Sequence, residues 1–242
     1  MQFDSGHLYH IYNQGNNRQK IFLDRENYLF FLRKIHKYII PFADILAWCL
    51  MPNHFHLMVH VNQVEVETVT PSAILSRTRS KFDAIAEIPS PTLSRARNNQ
   101  RNDETMSFNK SIGIMLASYT RAINKQQNWS GSIFRSETKA VCLTEIDGIS
   151  PGWITSMGIT EFTDNDPDIQ YPNVCFNYIL NNPVKDGLVS RPEDWEFSSY
   201  SDFIGIRKGN LINRKRIQEF GLCLNKSECD FESRPDYKNQ SK

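Results

Sequence analysis

Three histidines alternate through one short stretch, His54-Phe55-His56-Leu57-Met58-Val59-His60-Val61. On a strand, successive side chains point to opposite faces. Phe55, Leu57, Val59 and Val61 then form a core face, and His54, His56, Met58 and His60 form the other. Residues two apart are separated by about 6.6 Å along a strand, near enough for two imidazoles to converge on one cation. His54 and His56 therefore read as half of a metal site. The same pattern also fits partly exposed strand histidines without a ligand, so the pair alone leaves both readings open. His10 and His60 are accessory ligands or bases in the first reading. For His10, which alternates with apolar Ile11, a histidine satisfied within the fold is an equal alternative.

These side chains need a sheet and helices to hold them. Leu8 to Asn13 reads as a strand, followed by the polar turn Gln14-Gly15-Asn16-Asn17-Arg18, where glycine and asparagine tolerate left-handed backbone angles. Asp24 is a plausible helix N-cap, and Tyr28, Phe31, Leu32, Ile35 and Ile39 recur at helical spacing until Pro41. Ile45 to Met51 and His54 to Val61 then form a hairpin around Pro52-Asn53. From residue 62 to about 106 the pattern dissolves into Ser, Thr, Asn, Arg and proline, an insertion or arm with a short possible helix near Ala73 to Ile88. A helix is expected from Ser107 to Gln126, then a strand from Ile133 to Leu143. A short helix from Pro172 to Asn182 should be stopped by Pro183. The remaining tail has no repeat, and residues 204–242 are taken as a C-terminal extension to a domain of residues 1–203.

Composition narrows the function classes. The chain has 242 residues, 40% of them apolar, and a net charge of +1, which suits a sizeable core and excludes fibrous or wholly disordered classes. No apolar run approaches the roughly 20 residues of a membrane helix. The first residues lack the basic and apolar regions of a signal peptide, so a cytoplasmic protein is expected. Five cysteines without a CxxC pair encode neither a disulfide framework nor a thiolate zinc site, and are expected reduced. The small net charge hides a division. Residues 76–140 hold eleven Lys/Arg against five acids, whereas residues 141–180 hold six acids and no base. The first stretch suits phosphate contact; a solvated surface of uneven charge is the alternative.

Three separated segments, in order, carry a family resemblance. Tyr9-His10-Ile11-Tyr12-Asn13-Gln14-Gly15-Asn16-Asn17-Arg18-Gln19, Cys49 to Val59, and Tyr178-Ile179-Leu180-Asn181-Asn182-Pro183-Val184-Lys185-Asp186-Gly187-Leu188-Val189 continuing to Trp195, Ser198, Ser199 and Tyr200 resemble the HUH-type single-tyrosine transposases. That group includes the REP-associated tyrosine transposases. The resemblance covers about residues 7–61, 108–143 and 174–203, and implies an α+β, ferredoxin-like antiparallel sheet with helices packed on it, in agreement with the order of elements above. It further implies that His54, His56 and Asn182 hold a divalent cation and that Tyr178 attacks a phosphodiester of single-stranded DNA. Asn181 beside Asn182 leaves the third ligand open. Tyr178 and Asn182 are four residues apart and would share one face of a helix. Tyr119, in a basic helix but in register with core positions, is the rival nucleophile.

Mg²⁺ is the expected metal, with Mn²⁺ supporting activity because it accepts imidazole more readily. Asn17, Arg18, Arg135 and Lys185 are assigned to DNA contact. The expected activity is metal-dependent nicking and joining of single-stranded DNA at hairpin-forming ends through a 5′-phosphotyrosine, by a monomer or homodimer. Two rivals stand beside it. One is a catalytically silent protein that binds DNA hairpins. The other is an unrelated metal-dependent hydrolase, which would want a carboxylate ligand such as those between Asp164 and Asp168.

Overall fold

The computed structural model describes residues 1–67, 105–144, 154–156, 159–161 and 167–224. Strand β1 (Leu8–Gln14) leads through a one-turn 3-10 segment (Asn16–Arg18) into helix α1 (Arg25–Tyr38). Strands β2 (Ala43–Met51) and β3 (His54–Val61) follow as a hairpin. Two short strands, β4 (Glu65–Glu67) and β5 (Thr105–Ser107), pair with each other before α2 (Phe108–Gln127) and β6 (Lys139–Cys142). Strands β7 (Ile154–Ser156) and β8 (Ile159–Glu161) pair, and α3 (Pro167–Lys185), α4 (Tyr200–Phe203) and α5 (Arg214–Glu219) complete the order. The main sheet runs β2-β3-β1-β6 with every neighbour antiparallel. Strand, helix, hairpin, helix, strand in that order is the split βαβ of ferredoxin-like folds, so the α+β expectation holds.

Local sequence explains the principal elements. The Asp24 carboxylate accepts from the Asn27 N–H at 2.8 Å and caps α1, and Ser107 Oγ accepts from the Lys110 N–H at 3.3 Å and caps α2. Both helices lie on the sheet face of Phe55, Leu57 and Val59. Phe31 meets Phe55 and Tyr119 there, with ring centroids 5.1 and 5.0 Å away. Each fully buried large apolar side chain in this layer contributes roughly 1.5–3 kcal/mol. Gly15 has no substitute at its turn, because a Cβ there would lie 2.2 Å from the Gln19 carbonyl oxygen.

The second sheet face departs from expectation. His56 and His60 are 5% and 7% exposed and Met58 is fully buried, whereas His54, at the start of the strand, stays partly exposed. Helix α3 packs on this face against β2 and β3 and removes it from water. That helix is also longer than expected, starting at Pro167 and running past Pro183 to Lys185. A proline so near the C-terminus costs only one backbone hydrogen bond, and Gly187, at φ 70, makes the stop instead.

Strand β6 is shorter than expected, starting only at Lys139. Asn13 Nδ2 donates to the Arg135 carbonyl at 3.2 Å and to Thr138 Oγ1 at 2.9 Å, so a side chain replaces the ladder there. The possible helix near Ala73 to Ile88 lies outside the described residues. Cys49, Cys142 and Cys175 are free thiols, but Cys223 is disulfide-bonded, against the expectation that all five are reduced. Beyond α3, Phe197 and Ser199 bond to the edge of β2, and Ile212, Ile217 and Leu222 join the core. Among the described residues no helix is long and apolar enough to cross a membrane.

Candidate active site

The site forms between β1, β3 and α3, where the register is decisive. Tyr12 pairs with His56 and Gln14 with His54, so His10, Tyr12, His54 and His56 share one face of the sheet. Helix α3 lays Tyr178 and Asn182 over that face. The Tyr178 ring meets His56 edge-on at 5.4 Å and His10 at 6.2 Å. Asn182, 3% exposed, places Oδ1 3.3 Å from His54 Nε2 and Nδ2 3.5 Å from His56 Nε2. Asn181 turns away, its Nδ2 donating to the Asn177 carbonyl at 2.9 Å. Geometry thus brings Asn182, and not Asn181, to the histidines.

With the Asn53 and Asn182 amides oriented as they stand, the outer hydrogen bonds favour one set of imidazole tautomers. Asn53 Nδ2 faces the Arg18 carbonyl at 3.4 Å, which leaves its Oδ1 to accept from His54 Nδ1–H at 2.6 Å. His54 Nε2 then carries a lone pair. His56 Nε2 accepts from the Asn182 amide, so its Nδ1–H donates to His10 Nε2 at 2.9 Å. Burial holds all three imidazoles neutral: it pushes His10 down to about 4, His56 well below the usual histidine range, and His54 down despite the opposing Asn182 oxygen and Asp186 carboxylate.

In this arrangement His54 Nε2 faces Asn182 Oδ1 as a second acceptor, whereas turning the amide over, with His10 and His56 as Nε2–H tautomers, pairs every group. With His54 and His56 as Nδ1–H tautomers, both Nε2 lone pairs point at Asn182. Two imidazole nitrogens and one amide oxygen with lone pairs turned inward, and with the outer ring nitrogens already bonded, form a donor set that fits a divalent cation. Among the described residues no group of three His, Cys, Asp or Glu side chains converges on a metal position; the side chains between Asp164 and Asp168, named for the hydrolase alternative, lie outside those described.

Tyr178 is half-buried. Burial raises its phenol above the ordinary range, and a hydrogen bond from Asn182 opposes that rise. Lys185 Nζ stands 5.2 Å from the Tyr178 ring centroid, the only one of the four expected DNA-contact residues brought directly to the phenol. Asn17, Arg18 and Arg135 are exposed on loops at the sheet end where His54 begins β3: Asn53 bonds the Arg18 carbonyl, and the Arg135 N–H donates to the Gln14 carbonyl at 2.9 Å. Tyr119 is fully buried, its hydroxyl donating to the Ile21 carbonyl at 2.7 Å, and burial raises it strongly. It has no access to a phosphodiester.

Two members of the site had only a weak signal in the sequence. They are Tyr12, with its ring 5.8 Å from His56, and Asn53, which reads in the sequence as a turn residue. The alternation of Tyr9 and Ile11 with His10 and Tyr12 marks two faces of β1, but only the β1–β3 register says which face meets His56.

No protein-family model and no curated protein matches the chain. Among solved structures, a REP-associated tyrosine transposase bound to a REP hairpin is similar to it at 15% identity, over 88% of this chain and 92% of that one, with a TM-score of 0.48. The residue assignments above rest on this chain's own geometry.

Proposed function

We propose that this protein nicks and rejoins single-stranded DNA at hairpin-forming ends, with Tyr178 as nucleophile and His54, His56 and Asn182 as the ligands of a divalent cation, Mg²⁺ or Mn²⁺. The observation that carries the reading is the placement of a half-buried phenol one helical turn from an amide that faces two imidazole nitrogens. When bound there, the cation supplies charge that stabilises a phosphoryl group during displacement.

The chain's own residues do the rest. The Tyr178 oxygen forms a bond to phosphorus, the bond to the 3′-oxygen breaks, the phenolic proton leaves to solvent, and the departing 3′-oxygen takes a proton up from solvent. The products are a 5′-phosphotyrosine and a free 3′-hydroxyl, which can attack in turn and restore a phosphodiester without ATP. Burial works against the phenolate and the Asn182 hydrogen bond favours it, while Lys185 Nζ, 5.2 Å from the ring centroid, stands ready to meet the phosphate. His10 holds the His56 ring by its Nδ1–H and fixes the lone pair toward Asn182.

A labelled hairpin oligonucleotide with a single-stranded flank tests the reading. With Mn²⁺, the label should migrate with the denatured protein; with EDTA, it should not. Hairpin binding without any adduct under either condition would instead favour the catalytically silent DNA-binding alternative.

A further inference from the structure

The loop after α2 turns a large aromatic side chain to solvent. Trp129 is 45% exposed, whereas Trp48 is buried at 3% and Trp195 is half-buried with its indole N–H on the Leu50 carbonyl. The loop is held in one conformation. Asn128 ends the helix in the left-handed region at φ 54, the Trp129 N–H donates to the Asn124 carbonyl at 2.9 Å, and Asn124 Nδ2 donates to the Gly131 carbonyl at 2.8 Å.

The same loop is bonded to the turn between β1 and α1. Asn16 donates from its backbone to the Ile133 carbonyl and from its side chain to the Ser132 carbonyl, both at 2.8 Å, and Gln19 Nε2 reaches the Ile133 carbonyl at 3.2 Å. That turn is bonded in its own right to Asn53, beside His54: the Gly15 N–H donates to the Asn53 carbonyl at 2.8 Å. A continuous, hydrogen-bonded surface therefore links Trp129 to the sheet end that carries His54.

This surface is basic. Arg18, Lys20, Lys125 and Arg135 are exposed, and among the described residues no carboxylate lies within ion-pair distance of them. The nearby acids are engaged elsewhere: Asp24 accepts from Asn27 and Gln126, and Glu137 pairs with Lys139 at 2.6 Å.

We propose that Trp129 is a stacking platform for an unpaired DNA base, with Arg18, Lys20, Lys125 and Arg135 holding the flanking phosphates. An aromatic face among unpaired cations is the arrangement that binds single strands without reading sequence. The proposal rests on the DNA reading above and adds a base-binding position outside the Tyr178 site.

The test uses the full chain in EDTA, so that no cleavage intervenes, with an unstructured fluorescent oligo-dT and anisotropy titrations between 50 and 200 mM salt. Trp129→Ala should weaken binding by about 5- to 100-fold and leave the salt slope unchanged, while Trp129→Phe stays within about threefold. Arg18→Gln should flatten the slope by about 0.7. Photocrosslinking of the wild-type chain to 5-iododeoxyuridine DNA should place the nucleotide on the Trp129 peptide. Affinity of Trp129→Ala within twofold of a wild type that does bind DNA overturns the platform and leaves the DNA reading standing. A wild type that binds neither oligo-dT nor a hairpin overturns both. A wild-type dimer that becomes monomeric on Trp129→Ala, with DNA affinity unchanged, assigns the ring to a subunit contact and also overturns it.

Discussion

His54 Nε2 and Asn182 Oδ1 face each other at 3.3 Å across the junction of β3 and α3, with His56 Nε2 3.5 Å from the same amide. Their outer bonds hold them there. Asn53 fixes the His54 ring, and the backbone of α3 fixes Asn182. With both rings as Nδ1–H tautomers, two imidazole nitrogens and the amide oxygen turn lone pairs toward one point that a cation can occupy, and burial disfavours a second proton on His54. The metal reading grows from this relationship.

Removing a ligand should separate metal binding from folding. His54→Ala and His56→Ala are each expected to weaken Mn²⁺ binding at least tenfold, and Asn182→Ala by about 10- to 100-fold. Titration of free Mn²⁺ by electron paramagnetic resonance reads this directly. Unchanged affinity in a folded His56→Ala variant would remove the cation from this position.

Acid should destabilise the metal-free protein. His10 and His56 are neutral in the fold with pKa values below the unfolded value of about 6.5. Between pH 6.5 and about 4, the unfolded chain therefore binds protons that the folded chain refuses, and stability falls with falling pH. The slope is about 1.4 kcal/mol per pH unit for each group, while above pH 7 these groups contribute no slope. Urea midpoints in EDTA at pH 7.5 and 5.5 measure the drop, and His10→Asn should reduce it.

Tyr119→Phe should cost about 1–2 kcal/mol of stability, because the Ile21 carbonyl loses its buried donor while the ring packing against Phe31 remains. Adduct formation should survive. A lower urea midpoint with undiminished cleavage is the expected pair of results; lost cleavage at full stability would return Tyr119 to the chemistry.

Much of this architecture is legible in the chain. Alternation in His54–Val61, the Asp24 cap and the i, i+3, i+4 apolar positions of α1 and α2 are local signals, and they give β1, α1, β2, β3 and α2 in order. What covers the histidine face is not local. A period of two separates two faces of a strand without saying that a helix more than a hundred residues later packs on the polar one. The choice between Asn181 and Asn182 likewise depends on helix rotation over the sheet, which adjacent positions in sequence do not reveal. Likewise the early end of the β6 ladder is set by Asn13, a residue on another strand.

Phosphate contact at the sheet end should appear as salt dependence. Hairpin affinity is expected to fall with rising salt, and charge removal at Arg135 or Lys185 should each reduce the slope by about 0.7. Anisotropy against salt concentration gives these slopes. Equal slopes for wild type and variants would take both residues off the DNA path.

The most direct measurement is mass spectrometry of the protein trapped on a hairpin oligonucleotide with Mn²⁺. A nucleotide on the peptide containing Tyr178, and no adduct at all from Tyr178→Phe with fold and hairpin affinity retained, is the predicted result. A nucleotide on any other residue, or an adduct that survives Tyr178→Phe, would contradict the assignment of Tyr178 as nucleophile.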